Sequence, residues 1–160
     1  MPPRLERRQN TGNTHFITFS CSLRNPYLVP CESKIALQTV IENIRNRYRF
    51  HVYGYVIMPE HLHLLMSEPE LKPLDVAVAV IKREVSSLLV EKPFWLPRYY
   101  DFNVFTDAKR VEKLRYIHRN PVSRGLVEHP EDYIWSSFRA YALREPNPIT
   151  ITLRKRCSKD

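Results

Sequence analysis

The chain has 160 residues, 43% of them hydrophobic, which is enough to bury the core of one compact domain and too few for two. Its 25 Lys and Arg against 17 Asp and Glu give a formal net charge of +8, which favours a polyanionic partner over an acidic small substrate, with a merely soluble basic protein as the alternative. Three cysteines without paired short spacing, and no signal peptide or bilayer span, indicate a reducing cytoplasm and no membrane partner.

Polar and basic residues over 1–13 predict a flexible N-terminal arm. Beyond the arm, β-branched and aromatic runs predict strands, and apolar residues at three- and four-residue steps predict helices. In chain order these are strand 14–21, helix 32–49, strand 50–58, a strand from His61, helix 74–90, strand 99–105, helix 108–120 and a last short helix near Phe138. The third long helix is expected to stop at Asn120 because Pro121 disfavours helical geometry in the preceding residue.

The order strand, helix, strand, strand, helix, strand, helix is a split βαβ pattern. It predicts a ferredoxin-like α+β sandwich in which two helices cover one face of an antiparallel sheet and leave the other face free. We expect one domain over residues 14–145, followed by a basic C-terminal tail over 146–160.

His61 and His63 are the most informative pair in the chain, because the period of two in a strand sends both imidazoles to one face. Two convergent imidazoles are a partial site for a divalent cation that needs at least one further ligand. An isolated pair of this kind is a weak signal, and two strand histidines with ordinary hydrogen-bond partners are the alternative. Glu60, beside the pair, reads as a turn residue rather than a ligand.

Tyr116 lies three residues after Lys113 and four before Asn120, so the three side chains share one helix face. A tyrosine phenolate can attack a phosphodiester, a cation can polarise that phosphate, and the Asn120 oxygen suits a hard ion such as Mg²⁺ or Mn²⁺. The alternatives are a partly buried core tyrosine for Tyr116 and a C-terminal helix cap for Asn120, the second being compatible with a ligand role.

Together these residues resemble a known family. The run from Pro59 to His63 looks like the HUH motif of single-tyrosine transposases, and Tyr116 to Leu126 resembles their tyrosine helix and its exit. The similarity is greatest to the REP-associated tyrosine transposases and extends from about His15 to Tyr141, with 94–98 and 135–138 as supporting landmarks.

The resemblance implies the HUH fold and a metal-dependent endonuclease and strand transferase that acts on single-stranded or hairpin DNA from palindromic repeats. It assigns Tyr116 as the nucleophile that forms a 5′ phosphotyrosine, and His61, His63 and Asn120 as ligands of Mg²⁺ or Mn²⁺. No nucleotide cofactor is implied, because the phosphotyrosine conserves the bond energy needed for rejoining. The oligomeric state is left as monomer or homodimer, and the location as the bacterial cytoplasm, on the nucleoid.

Single-stranded DNA is expected to lie in a basic groove in which aromatic side chains stack on bases, with Tyr99 and Tyr100 as candidates. For any one of the basic residues, a solvated surface position is an equally good interpretation. The candidate DNA-binding residues are Arg4, Arg7, Arg8, Lys82, Arg83, Arg98, Lys113, Arg115, Arg119 and Arg124.

Two other functions remain open. A domesticated, catalytically idle protein would bind hairpin DNA without cleaving it. A zinc hydrolase would activate water instead of Tyr116. Of the three functions, only the tyrosine-dependent strand transferase predicts a DNA product linked to the tyrosine.

Overall fold

The computed structural model describes residues 13–153, so Arg4, Arg7 and Arg8 of the predicted arm and residues 154–160 of the predicted tail lie outside the described residues. All the predicted strands and helices are present. They are β1 (Thr14–Ser20), α1 (Cys31–Tyr48), β2 (Val52–Ile57), β3 (His61–Ser67), α2 (Leu74–Leu88), β4 (Tyr100–Val104), α3 (Asp107–Ser123) and α4 (Phe138–Ala142). No helix within 13–153 is long and apolar enough to cross a membrane.

The four strands form one sheet in the order β2-β3-β1-β4, and every neighbouring pair is antiparallel. This order, with α1 and α2 each crossing between strands, confirms the predicted ferredoxin-like α+β fold. β3 is an inner strand, hydrogen-bonded to β1 on one side and to β2 on the other. The strand that carries both histidines is therefore held rigidly on both edges.

One face of the sheet is sealed by α1 and α2, which pack against it and against each other. The shared core is almost entirely apolar, and its fully buried members include Ile17, Ile41, Leu64 and Ile81. Such a layer supplies most of the hydrophobic stabilisation of a domain of this size.

The two-helix sandwich predicted that the opposite face of the sheet would be free. It is not, because α3 packs across it. A smaller apolar cluster joins Phe16, Val56 and Leu65 of the sheet to Ile117 of α3. Gly54 permits the close approach, since a Cβ there would lie 2.5 Å from Cδ1 of Leu114 on α3. The helix that carries Tyr116 is thus part of the fold's second layer.

α3 continues through Pro121 and ends at Ser123, beyond the predicted end at Asn120. Pro121 lies in the last turn, where its missing N–H removes one hydrogen bond, to the carbonyl of Ile117, without ending the helix. The stop comes from Gly125, at φ +72°, because its N–H donates to the carbonyl of Val122 while that of Leu126 donates to the carbonyl of Pro121, each at 2.9 Å. Asn120 is consequently inside the helix, and the interpretation of Asn120 as a C-terminal cap is wrong.

Packing continues into the predicted tail. Ile149 is fully buried in the larger core cluster, Ile151 forms a bridge with Val52, and Asn147 accepts a hydrogen bond from the Tyr55 hydroxyl at 2.7 Å. Residues up to about 152 therefore pack onto the same core, and the boundary at residue 145 stays a prediction.

Candidate active site

His61 and His63 lie on the face of the sheet that α3 covers. In the pairing of β1 with β3, Ser20 is opposite His61 and Thr18 is opposite His63, so all four side chains point the same way. Both imidazoles are buried, with 5% and 6% of their surface exposed. The sequence prediction that the two rings share one face is confirmed.

The two imidazoles converge through their Nε2 atoms, which are 3.0 Å apart. Each Nδ1 has an outer partner, Glu60 Oε1 at 2.9 Å for His61 and Thr18 Oγ1 at 2.7 Å for His63. Two neighbouring nitrogen ligands at roughly 2.1 Å from an octahedral ion would also be about 3.0 Å apart. The spacing fits a shared cation.

The outer partners determine where the ring protons lie. A carboxylate can only accept, so Nδ1 of His61 carries the proton and its Nε2 has the lone pair. Without a cation, Nε2–H of His63 donates to that lone pair, and the Thr18 hydroxyl donates to Nδ1 of His63. Because a hydroxyl can donate or accept, Thr18 lets His63 move its proton to Nδ1 and free Nε2 for a metal.

Both rings are neutral at physiological pH. Burial, followed by the positive charges of His61 when protonated, Lys113 and Arg24, lowers the pKa of His63 to about 3. Burial also lowers the pKa of His61, although the Glu60 carboxylate acts in the opposite direction. Neutral imidazoles are the form that binds metal ions.

Tyr116 projects from α3 towards this pair. Its ring centroid is 5.2 Å from that of His63 and 6.1 Å from that of Phe16, in edge contacts. The side chain is nevertheless 52% exposed, which is more than the alternative interpretation, a partly buried core tyrosine, would give. A phenol that is fixed by its ring yet open to solvent is accessible to a large substrate.

Lys113 lies one turn before Tyr116 and places its Nζ over two aromatic rings, 5.0 Å from the centroid of Phe16 and 4.6 Å from that of Phe102. These cation–π contacts hold the ammonium beside the histidine pair. A cation in this position favours a polyanion close to Tyr116.

Asn120 follows Tyr116 by one helical turn and is 7% exposed, and the two residues line one groove along α3. Its Nδ2 is buried without a hydrogen-bond partner among the described residues. An orphaned buried amide is what a missing ligand leaves, since rotating it by 180° would present Oδ1 instead. Within residues 13–153 no three His, Cys, Asp or Glu side chains are grouped to hold a metal, so a cation at the two imidazoles would need a ligand of another type, and the Asn120 amide has suitable chemistry.

Glu60 joins three elements and is more than a turn residue. Its Oε1 accepts hydrogen bonds from Nδ1 of His61 at 2.9 Å and from Nη1 of Arg124, just after α3, at 2.7 Å, and it lies 3.6 Å from Nη2 of Arg24. Burial alone would raise the pKa of Glu60, but the Arg124 hydrogen bond and His61 outweigh it and lower that pKa. An ionised Glu60 thus connects a histidine to the tyrosine helix.

Thr18, Arg24 and the role of Glu60 were missed by sequence reasoning. Strand parity offers a signal for Thr18, because a strand paired with the histidine strand must present alternate residues to the same face. Arg24 follows β1 in an irregular turn, and no local pattern indicates where its side chain points.

The predicted DNA-binding residues divide between the two faces. Arg115 and Arg119 are exposed along the α3 groove, and Arg124 directly follows that helix. Lys82 and Arg83 lie on α2, behind the sheet, where Nζ of Lys82 donates to the carbonyl of Leu96 at 2.6 Å. Arg98 is exposed in the loop between α2 and β4.

Two comparisons with known proteins agree with this geometry. Over 139 residues the chain is 26% identical to the REP-associated tyrosine transposase of Escherichia coli K12, which covers 86% of this chain and 84% of that one. The structure superposes on a REP-associated tyrosine transposase bound to a REP hairpin with a TM-score of 0.77 and 22% identity, covering 97% of this chain and 94% of that chain. At this identity the second match shows the fold alone.

The fold and the buried histidine pair beside a tyrosine helix define a protein of the HUH transposase class. Residues 9–120 match the family model described as "Transposase IS200 like", and the chain belongs to that family. The predicted similarity to REP-associated tyrosine transposases is confirmed. Proteins of this family act in DNA cleavage, transposition and recombination, and HUH transposases in general use a divalent metal.

Proposed function

We propose that this protein is a metal-dependent endonuclease and strand transferase for single-stranded DNA at hairpin-forming repeats, with Tyr116 as the nucleophile. The observation that carries the proposal is the contact of the Tyr116 ring with His63. The Nε2 atom of His63 is 3.0 Å from that of His61, so both nitrogens can bind one cation next to the tyrosine. The hairpin as substrate is suggested by the structural relative that is bound to a REP hairpin. The expected location is the cytoplasm, on chromosomal DNA.

His61, His63 and Asn120 would hold Mg²⁺ or Mn²⁺, which, when bound, polarises the scissile phosphate. The exposed Tyr116 hydroxyl loses its proton to water as its oxygen attacks the phosphorus and forms a P–O bond. The bond from phosphorus to the 3′ oxygen breaks, and that oxygen takes a proton from water and leaves as a 3′ hydroxyl. Lys113 stabilises negative charge on the phosphate during this step. Attack by a 3′ hydroxyl on the phosphotyrosine reverses the sequence and rejoins a strand.

Covalent capture tests the proposal. A radiolabelled hairpin oligonucleotide from the palindromic repeats flanking the gene, incubated with Mn²⁺, should give a protein–DNA adduct that survives denaturing electrophoresis. Tyr116→Phe should abolish the adduct, and EDTA should abolish it in the parent. Tyr48→Phe, on α1 behind the sheet, is the matched control and should retain it.

Each negative outcome has a definite meaning. An adduct that persists in Tyr116→Phe would overturn the role given to Tyr116. Hairpin binding without any adduct in the parent would support the idle binding protein, and cleavage without a protein-linked product would support a hydrolase that uses water.

A further inference from the structure

The turn between β1 and α1 has an unusual backbone. Leu23 and Arg24 both adopt φ +53°, in the left-handed region that favours glycine. For a bulky residue such as leucine this conformation is a genuine outlier, and two in succession are strained. Strain of this kind persists only where surrounding contacts impose it.

Packing does not account for the strain. Leu23 is 84% exposed, the Arg24 side chain is 58% exposed, and none of Ser22–Arg24 is buried. The turn is instead fixed by backbone hydrogen bonds at its base, from the N–H of Cys21 to the carbonyl of Glu60 and from the N–H of Ser22 to that of Phe94, each at 2.8 Å. Its base is therefore tied to the residue that precedes His61.

The strained turn directs Arg24 towards the candidate active site. Nη1 of Arg24 donates to Ser20 Oγ at 3.4 Å, and Nη2 lies 3.6 Å from Glu60 Oε1. Ser20 is the residue opposite His61 in the sheet. Because opposite residues of paired strands present their side chains to the same face, the contact with Ser20 places the guanidinium on the histidines' side of the sheet.

We propose that Leu23 and Arg24 form a nucleotide subsite at the rim of the active site: Arg24 binds a DNA phosphate next to the cleaved bond, and Leu23 packs on the nucleotide attached to it. The proposal rests on the proposed function and adds the residues that hold the single strand.

The chemistry of both side chains suits this ligand. Glu60 is already paired with Arg124 at 2.7 Å, whereas its 3.6 Å separation from Arg24 exceeds a hydrogen bond, so the exposed Arg24 guanidinium retains donors for a phosphate. An unpaired nucleotide exposes apolar base and sugar surface that a duplex hides, and an exposed leucine gains by covering it.

A methylphosphonate scan tests the Arg24 contact. Hairpin oligonucleotides from the repeats flanking the gene, with single-stranded extensions, each carry one uncharged methylphosphonate linkage. Their affinities are measured with full-length Tyr116→Phe protein, so that the DNA stays uncut, and again after adding Arg24→Asn. Asparagine removes the charge but tolerates the left-handed conformation.

Arg24→Asn should weaken binding of unmodified DNA about tenfold, as expected for a charge-assisted hydrogen bond. At one linkage, the scissile one or its neighbour, the methylphosphonate should weaken binding to the Tyr116→Phe protein, which is the parent in this scan. The same methylphosphonate should have no further effect once Arg24→Asn is added. Arg49→Asn is the matched control, because Arg49 is also exposed at φ +57° but lies at the opposite end of the sheet, about 20 Å away. It should leave the scan unchanged.

Leu23→Asn separates a binding role from a structural one. Because asparagine relieves the strain, the thermal midpoint should stay the same or rise while affinity for the extended hairpin falls about threefold. A hairpin trimmed flush, without the extension, should bind parent and variant equally.

If every methylphosphonate lowers the affinity by the same factor with and without Arg24→Asn, the proposed phosphate contact is wrong. If Leu23→Asn leaves the affinity for the extended hairpin unchanged, the proposed packing contact is wrong. Either result leaves the proposed function intact, since both measurements concern binding of uncut DNA. Failure of the parent protein to bind any hairpin would instead refute the proposed function.

Discussion

The two faces of the sheet differ in what their buried side chains do. Behind the sheet, α1 and α2 enclose a large apolar cluster, whereas under α3 the apolar cluster is smaller and borders two histidines, Thr18 and Asn120. Polar groups on the second face hydrogen-bond to one another or, like Nδ2 of Asn120, have no partner among the described residues, so they add little to stability. The comparison suggests that the fold keeps its stability on one face and its chemistry on the other.

The largest effect should come from truncating the sealed face. Ile41→Ala removes a fully buried side chain from α1 and should lower the free energy of unfolding by about 2–5 kcal/mol, measured by urea denaturation. Tyr116→Phe, on the other face, should change it by less than about 0.5 kcal/mol. A large loss in Tyr116→Phe would show that the second face also stabilises the fold.

The next effect concerns the Glu60 carboxylate. Glu60→Gln should lower Mn²⁺ affinity about ten- to hundredfold, because His61 loses the charged partner that fixes its proton on Nδ1. Calorimetric titration with Mn²⁺ measures this without DNA. Glu112→Gln, an exposed glutamate on α3 paired with Lys109, is the control. Equal affinities in all three proteins would contradict the positioning role of Glu60.

A smaller effect tests how closely α3 must approach the sheet. In Gly54→Ala the new Cβ would lie 2.5 Å from Leu114 Cδ1 and 3.2 Å from Ser137 Oγ. Leu114 must move, so the variant should lose about 1–2 kcal/mol of stability and form the covalent adduct more slowly. Val56→Ala, in the same strand and cluster, should lose stability by a similar amount without displacing the helix. Equal adduct rates in both variants would show that the position of α3 does not limit the reaction.

The smallest effect is a slope with pH. His15, fully buried, places Nδ1 2.7 Å from Asp101 and Nε2 2.9 Å from Glu68. Burial alone would lower its pKa, but these hydrogen bonds outweigh it and raise the pKa above 6.5. The stabilisation is therefore complete below about pH 6.5 and declines as the pH rises through the folded-state pKa. Urea denaturation across this range should show the decline in the parent and a flatter profile in His15→Gln; parallel profiles would refute a charged His15.

Much of this architecture is predictable because it depends on periodicity. The period of two placed His61 and His63 on one face of their strand, and helical spacing placed Tyr116 and Asn120 on one face of their helix. Both rules follow from backbone geometry alone. The rest depends on tertiary contacts. Gly125, rather than Pro121, ends α3, and the partners of Glu60 lie 36 and 64 residues away in the sequence, as its pairs with Arg24 and Arg124 show.

α3 is held to the rest of the fold along its length and at its C-terminal end. Ile117, the residue after Tyr116, is buried in the apolar cluster shared with the sheet, and Arg124, just after the helix, is paired with Glu60. If a DNA strand becomes attached to Tyr116, any tension in that strand pulls on the middle of this helix. Packing beneath the attachment point and the ion pair beyond it resist rotation of the helix under such a load, so the severed strand would be kept in register with its future acceptor.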